Sequence, residues 1–385
     1  MYFLKLLFRN AFRHKLRTSL TILSITIAIL AFGLLRTVIS AWYAGAEATS
    51  ANRLITRNAV SLVFPLPLSY KDKIRQIEGV KEVSYGNWFG GIYIDEKNFF
   101  ANYAVESKTA LELYPEYILP PDQREAFLRD RKAFFAGRKL VERFHWRMGD
   151  IITLKGTIFP GNWEFVLRGI YRGRDQNTDE SILYFHWDYL NETLKKTAPR
   201  RADQVGFYII GVTDPNRAAE VAVAIDKTFK NSLAETLTET EKAFVLSFIS
   251  MSDAIIVVIQ LVSFVVIIII IAVAANTMSM TARERIGEYA IFKTLGYRGW
   301  RIAGMITGES LLITMIGCFL GIVFTSPAAK VFNKFVGTYF PLFRVESKTI
   351  YMDVAASVLV GLCAAIVPTW RAAKIRIADG LRRIG

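Results

Sequence analysis

The chain has 385 residues, 52% of them hydrophobic, and carries 48 Lys and Arg against 34 Asp and Glu, a formal net charge of +14. Two cysteines rule out a disulfide framework, and the three histidines (His14, His145, His186) share no metal-ligand spacing, so neither a staple nor a zinc site explains the fold. A mean hydropathy of +0.28 in a chain this basic is unusual for a soluble globular protein and points to the membrane.

The first element is basic. Lys5, Arg9, Arg13 and Arg17 recur every fourth residue beside Leu4, Phe8, Ala11, Phe12 and Leu16. Residues 1–17 therefore read as an amphipathic cytoplasmic helix suited to the anionic inner membrane surface, its charges also serving as flanking charge for the span that follows. A span needs about 20 apolar residues in a helix. Residues 18–44 supply the first, an apolar run to Leu35 that continues past Arg36. A cleaved secretory signal is the competing reading, given the small residues Ala44, Gly45 and Ala46; the length of the apolar stretch and three later spans favour a retained anchor.

Residues 45–250 are domain-sized and of mixed pattern. Strand-like runs (Ala59 to Phe64, Gly91 to Ile94, Ile151 to Leu154, Phe165 to Tyr171, Ser181 to Phe185, Gln204 to Val212) alternate with helical stretches such as Ser69 to Ile77 and Asn216 to Phe229. The expectation is an α/β lobe from 45–106 and 201–250 with a β-rich lobe, 107–200, inserted into it; the latter includes a polar, helix-biased stretch from Asp122 to Phe144. No catalytic constellation stands out. Asp175, Asp179 and Glu180 read as a solvated turn rather than a metal or acid/base site, and Trp88-Phe89-Gly90-Gly91 as a cluster packed in a hairpin rather than an exposed aromatic finger. The sequon at Asn191 matters only in a eukaryotic secretory pathway.

Three more spans follow within the C-terminal part, 251–385, at about 254–275, 302–324 and 351–370. The second is free of charge; the third contains Glu309, which should face protein, water or a basic partner such as Arg301, as a structural ion pair rather than a proton relay. Gly304 with Gly308, and Gly317 with Gly321, give GxxxG spacings for close helix packing, within the chain or at a dimer interface. Cys318 and Cys363 read as small apolar residues.

Charge placement sets the topology. Fifteen basic residues lie before the first span, between the second and third, and after the fourth; less Glu284, Glu288 and Asp379 they account for +12 of the surplus, while 45–250 is nearly neutral. The positive-inside rule then places both termini in the cytoplasm and the large domain outside, and the surplus marks membrane orientation rather than nucleic-acid binding. The cytoplasmic stretch from Asn276 to Arg301 holds a short amphipathic helix: Ile286, Tyr289, Ala290 and Leu295 form an apolar face, Arg283, Glu284, Glu288 and Lys293 supply charge, and Gly296 is a natural stop. Such a helix should dock onto lipid, neighbouring spans or a partner.

These residues carry a resemblance. The one-plus-three arrangement of spans around a large external domain, the run Arg283-Glu284-Arg285-Ile286-Gly287-Glu288 followed by Lys293-Thr294-Leu295-Gly296, the early glutamate Glu309, and the ending Pro368-Thr369-Trp370-Arg371 make the chain similar to permease subunits of the MacB/FtsX-like class of ABC transporters. The resemblance implies a membrane α-helical protein of four transmembrane helices, with a large α+β extracytoplasmic domain inserted between helices 1 and 2, in the bacterial inner membrane. It implies a dimer, with itself or a paralogous permease, and a separate ABC ATPase that binds ATP and Mg and meets the 283–296 helix. It implies motion of the external domains rather than passage of substrate between spans, a periplasmic adaptor or lipoprotein being a further candidate partner. No Gly-Lys dipeptide occurs, so the sequence holds no P-loop and no cofactor is expected in this chain. The competing function is a signalling or scaffold subunit that regulates a cell-envelope enzyme.

Overall fold

The computed structural model describes residues 2–336 and 342–374, with side chains for 7–333 and 342–374. Arg376, Asp379, Arg382, Arg383 and the side chain of Lys5, all used in the charge argument, lie outside the described residues. The chain divides into two compact units, one of Met1–Ala41, Ser252–Phe335 and Phe343–Gly385, the other of Trp42–Met251 with Val336–Leu342.

The expected N-terminal helix is broken in two. α1 (Tyr2–Ala11) stops at a turn over residues 12–14, and α2 (Lys15–Glu47) begins beyond it. The hydroxyl of Thr18 donates to the Ala11 carbonyl at 2.5 Å, which satisfies a helix-end acceptor and closes the corner. α2 is one uninterrupted helix about 50 Å long.

In the second unit the elements in chain order are β1 (Arg53–Asn58), β2 (Leu66–Pro67), α3 (Tyr70–Arg75), β3 (Val80–Trp88), β4 (Gly91–Ile92), β5 (Asn102–Val105), α4 (Ser107–Leu113), β6 (Tyr117–Ile118), α5 (Pro121–Arg129), β7 (Ala133–Gly137), α6 (Arg138–Phe144), β8 (Ile151–Gly156), β9 (Gly161–Gly173), β10 (Leu183–His186), α7 (Trp187–Thr197), β11 (Gln204–Val205), β12 (Phe207–Val212), α8 (Ala218–Thr228), β13 (Thr236–Thr240) and α9 (Glu241–Ser250). The main sheet runs β13-β1-β12-β3-β5-β10-β7-β9-β8-β4, with β6 on β9; β5/β10 and β7/β9 are parallel and the other pairs antiparallel. Strands from 107–200 thus continue the same ladder as those from 45–106 and 201–250, so the inserted β-rich segment shares one sheet with its host.

Alternation explains the strands read correctly. In β8 Ile152 and Leu154 are buried while Ile151, Thr153 and Lys155 are exposed, and β9 keeps the same period on its neighbour. The run from Ala59 to Phe64 is not a strand: the Asn58 side chain accepts the Val60 N–H at 3.0 Å, turning the chain and leaving Val60, Val63 and Phe64 exposed. The helix-biased stretch 122–144 conceals β7, whose five residues are all buried between β10 and β9.

Phe89 is fully buried against Phe159, Trp163, Phe165 and Phe185 and is core, whereas Trp88 is 37% exposed, stacked on Phe99 and edge-on to Tyr103. The acidic loop is more structural than a solvated turn. Asp179 accepts the Ser181 amide and hydroxyl at 2.8 and 2.6 Å, with burial pushing its carboxyl above the ordinary range, and Glu180 accepts the Gly173 N–H at 2.9 Å. Asn191 of the sequon is buried and paired twice with Asp203.

The chain returns to the first unit with α10 (Asp253–Glu284), α11 (Ile286–Thr294), α12 (Gly299–Val336) and α13 (Ser347–Lys374). Among the described residues four helices, α2, α10, α12 and α13, are long and apolar enough to cross a membrane. Their shared core is Ile22, Ile25, Ile29, Phe32, Ile267, Ile270, Ile313 and Val360, among others, while Val257, Leu261, Phe264 and Ile268 of α10 point outward, as lipid-facing residues must.

The glycine seam lies inside the protomer. A Cβ at Gly317 would stand 2.6 Å from Ile25 Cγ2 and one at Gly321 2.7 Å from Ile29 Cγ2, so α12 packs backbone-close on α2; Gly308 meets Leu7, and Gly304 has nothing within 4 Å. Three of the four glycines are therefore occupied by the chain's own N-terminal helices rather than free for a dimer partner. Gly321→Leu should overpack this seam and lower stability by about 1–3 kcal/mol, read as a lower melting temperature of the detergent-solubilised chain, whereas Gly304→Leu should leave it unchanged.

Candidate functional site

The predicted loop between the second and third spans is almost wholly helical. α10 runs nine residues past the expected end at 275, breaks at Arg285, and α11 follows at once. α11 ends because Gly296 takes φ +85°, a conformation that favours glycine, while the Tyr297 N–H reaches back to the Phe292 carbonyl at 3.0 Å. Tyr289 and Ala290 are buried with Ala282, Ile302, Ile306 and Ala372 and fix one face of α11 on α10, α12 and α13. Lys293 donates to the Ala373 carbonyl at 2.8 Å and ties the end of α11 to α13.

The stretch from the last turn of α11 to the first of α12 is apolar and uncovered. Ile291 is 44% exposed, Leu295 69%, Tyr297 41% and Trp300 66%. Of the expected apolar face, Tyr289 and Ala290 thus turn inward, Ile286 is half-buried, and Leu295 turns outward. Arg283 and Gly296 are exposed and Gly287 half-buried.

Arg285 is buried and bridges two carboxylates. Its guanidinium donates to Glu309 at 2.9 Å and to Glu288 at 3.0 Å. Glu309 therefore has Arg285, not Arg301, as its cation; Arg301 instead lies over the rings of Trp300 and Tyr297. The break between α10 and α11 turns Arg285 inward, which spacing along the sequence could not reveal. Burial works against the Arg285 charge, yet Tyr289, Glu309 and Glu288 more than offset it and hold its proton more tightly than usual. Partial burial pushes the Glu288 carboxyl up, but hydrogen bonds from Arg13 and Arg285 outweigh it and leave it below the ordinary range. Burial pushes the Tyr289 hydroxyl up to about 12.

The N-terminal corner completes the network, and nothing in the sequence signalled that it would. Arg17 makes a two-pronged contact with Glu284 at 2.8 and 2.7 Å, His14 stands 3.5 Å from the same carboxylate, and Arg13 donates to Glu288. Leu7 and Ala11 are buried on the bundle. The helix expected to lie on lipid is thus packed on its own protein along this side, with Phe8 and Leu16 facing out.

Among the described residues, four apolar helices with a folded domain inserted between the first and second define a membrane-protein architecture. Residues 260–377 match the family model described as FtsX-like permease C-terminal. The chain is 23% identical over 237 residues, 61% of its length, to the macrolide export ATP-binding/permease protein MacB of Chromobacterium violaceum; the match spans only 36% of that relative. The inserted domain is similar to the extracellular domain of the noncanonic ABC-type transporter YknZ from Gram-positive bacteria (10% identity, TM-score 0.35, 49% of this chain and all of that one). It is also similar to the periplasmic region of MacB from Actinobacillus actinomycetemcomitans (9% identity, TM-score 0.37, 52% and 92%). Residues 260–377 thus form an FtsX-like permease C-terminal domain, and the chain as a whole is similar to permeases of the MacB/FtsX-like class.

Proposed function

We propose that this permease couples ATP hydrolysis by a separate ABC ATPase to conformational change of its extracytoplasmic domain, for export or extraction of an envelope substrate such as a lipoprotein, peptide or drug. It works as a dimer with itself or a paralogous permease in the bacterial inner membrane, with both termini and α11 cytoplasmic, and ATP and Mg held by the partner. The positive-inside rule supports that orientation.

One observation carries the reading. Ile291, Leu295, Tyr297 and Trp300 are all exposed along the stretch from the end of α11 into the first turn of α12, and α11 itself is braced by the ends of three spans. A cluster of large apolar side chains beside Arg298 and Arg301 is costly to leave in water and fits a partner pocket with an acidic rim. In mild detergent the chain should co-purify with a P-loop ATPase whose hydrolysis it stimulates. Leu295→Asp with Trp300→Ala should weaken that association by roughly 30-fold or more, the effect of losing an anchoring pair worth about 2 kcal/mol. Undiminished co-purification and stimulation by the double variant would overturn the assignment of this face.

A further inference from the structure

Glu284 and Glu288 are the acidic residues of the element assigned to the ATPase, yet both are already engaged within the chain. Arg17, on the first turn of α2, takes both oxygens of Glu284, and His14 approaches the same carboxylate. Arg13, on the turn before α2, reaches Glu288, whose other oxygen is 3.0 Å from Arg285; Arg285 in turn holds Glu309 of α12. One continuous chain of charges, Arg13–Glu288–Arg285–Glu309, therefore joins the N-terminal corner to α11 and the third span. The corner itself is held by the Thr18 to Ala11 bond and by Leu7 against Gly308.

We infer that the turn from Phe12 to Arg17 is a latch that fixes α11 to the first span, and that Glu284 and Glu288 act inward on this latch rather than outward on the ATPase. The inference rests on the reading of α11 as the ATPase-facing element and names how its motion leaves it. A push on the apolar face of α11 is passed through the two glutamates to the first turn of α2. That helix continues unbroken to residue 42, where the second unit begins. Arg13, Arg17, Glu284 and Glu288 are positioning residues in this scheme. Single exposed ion pairs are weak. Here two groups clasp the same corner, Arg13–Glu288–Arg285–Glu309, which ends in a buried pair, and Arg17 with His14 on Glu284, and contacts held by one rigid turn support each other.

A charge swap separates the two roles. Three full-length variants, Arg17→Glu, Glu284→Arg and the double exchange, are reconstituted in nanodiscs with and without the ATPase. Each single variant should lower the stimulation of hydrolysis by about tenfold and lower the melting temperature of the permease alone, and the exchange should restore most of both. If Glu284 instead touches the ATPase, Arg17→Glu leaves stimulation intact and the exchange is as defective as Glu284→Arg, which overturns the latch. The melting temperatures of the permease alone test the latch without any ATPase. Recovery there in a chain that stimulates no ATPase refutes the proposed function and keeps the latch; additive losses there refute the latch whatever the ATPase does.

Discussion

Arg285→Met should destabilise the membrane unit by about 3–5 kcal/mol, the largest loss expected from any single change at the α10–α11 junction. The guanidinium is buried, as is the Glu309 carboxylate it meets at 2.9 Å, and Glu309 has no other ion-pair partner among the described residues. Removing the cation leaves a buried carboxylate without its ion-pair partner. The reverse change should cost less. Glu309→Leu leaves Arg285 with Glu288 at 3.0 Å, so the guanidinium keeps one carboxylate. The order Arg285→Met worse than Glu309→Leu is thus a consequence of the branching. The pair of substitutions together should recover much of the loss, since buried ion pairs replaced by apolar groups of similar volume are often neutral. Melting of the detergent-solubilised chain, followed by size-exclusion recovery of the folded fraction, measures all three; equal tolerance of both single variants would refute the geometry.

The same junction shows what a linear reading reaches. Apolar runs of spanning length and the placement of basic residues report directly on solvent, because lipid demands them, and α2, α10, α12 and α13 were all legible to within a few turns. Helix ends were less so: α10 continues to Glu284 because Thr277, Thr281 and Ala282 are compatible with both helix and loop, and only packing against the neighbouring helices decides. The ion pairs were not legible, since Arg13 and Glu288 lie 275 residues apart and nothing local couples them. In the inserted domain, alternation revealed β8 and β9, but β7 is buried on both sides and has no alternation to show. Asp353 carries no local signal of its burial either. It lies in the first two turns of α13, and the fold buries it beside Gly33.

A second large loss is expected in the inserted domain, from Arg53→Met. Arg53 begins β1 and is buried; its Nε donates to Glu241 at 2.7 Å, its terminal nitrogens to Glu116 at 2.5 and 3.1 Å and to the Leu113 carbonyl at 3.0 Å, and its guanidinium lies 4.2 Å from the centre of the Tyr114 ring. Burial opposes the charge, yet Glu241, Tyr114 and Glu116 outweigh it and raise the proton affinity of Arg53; burial also lifts the hydroxyl of Tyr114, which donates to Glu241 at 3.0 Å. Position gives the cluster its meaning. β1 is the first strand after α2, and Glu241 opens α9, the last helix before α10, so one side chain ties the segment by which the chain enters this domain to the segment by which it leaves. Arg53→Met should cost about 3–5 kcal/mol by stranding two carboxylates and a carbonyl. Arg53→Lys should fall close behind, because an ammonium cannot serve acceptors in three directions with a planar fork. Urea unfolding read by the fluorescence of the core tryptophans Trp146, Trp163 and Trp187 measures both. If the tie carries load between entering and leaving segments, Arg53→Lys should also raise amide exchange at the start of β1 and of α9 together. Exchange that rises at one of them alone would mean that Arg53 stabilises the core without joining the two.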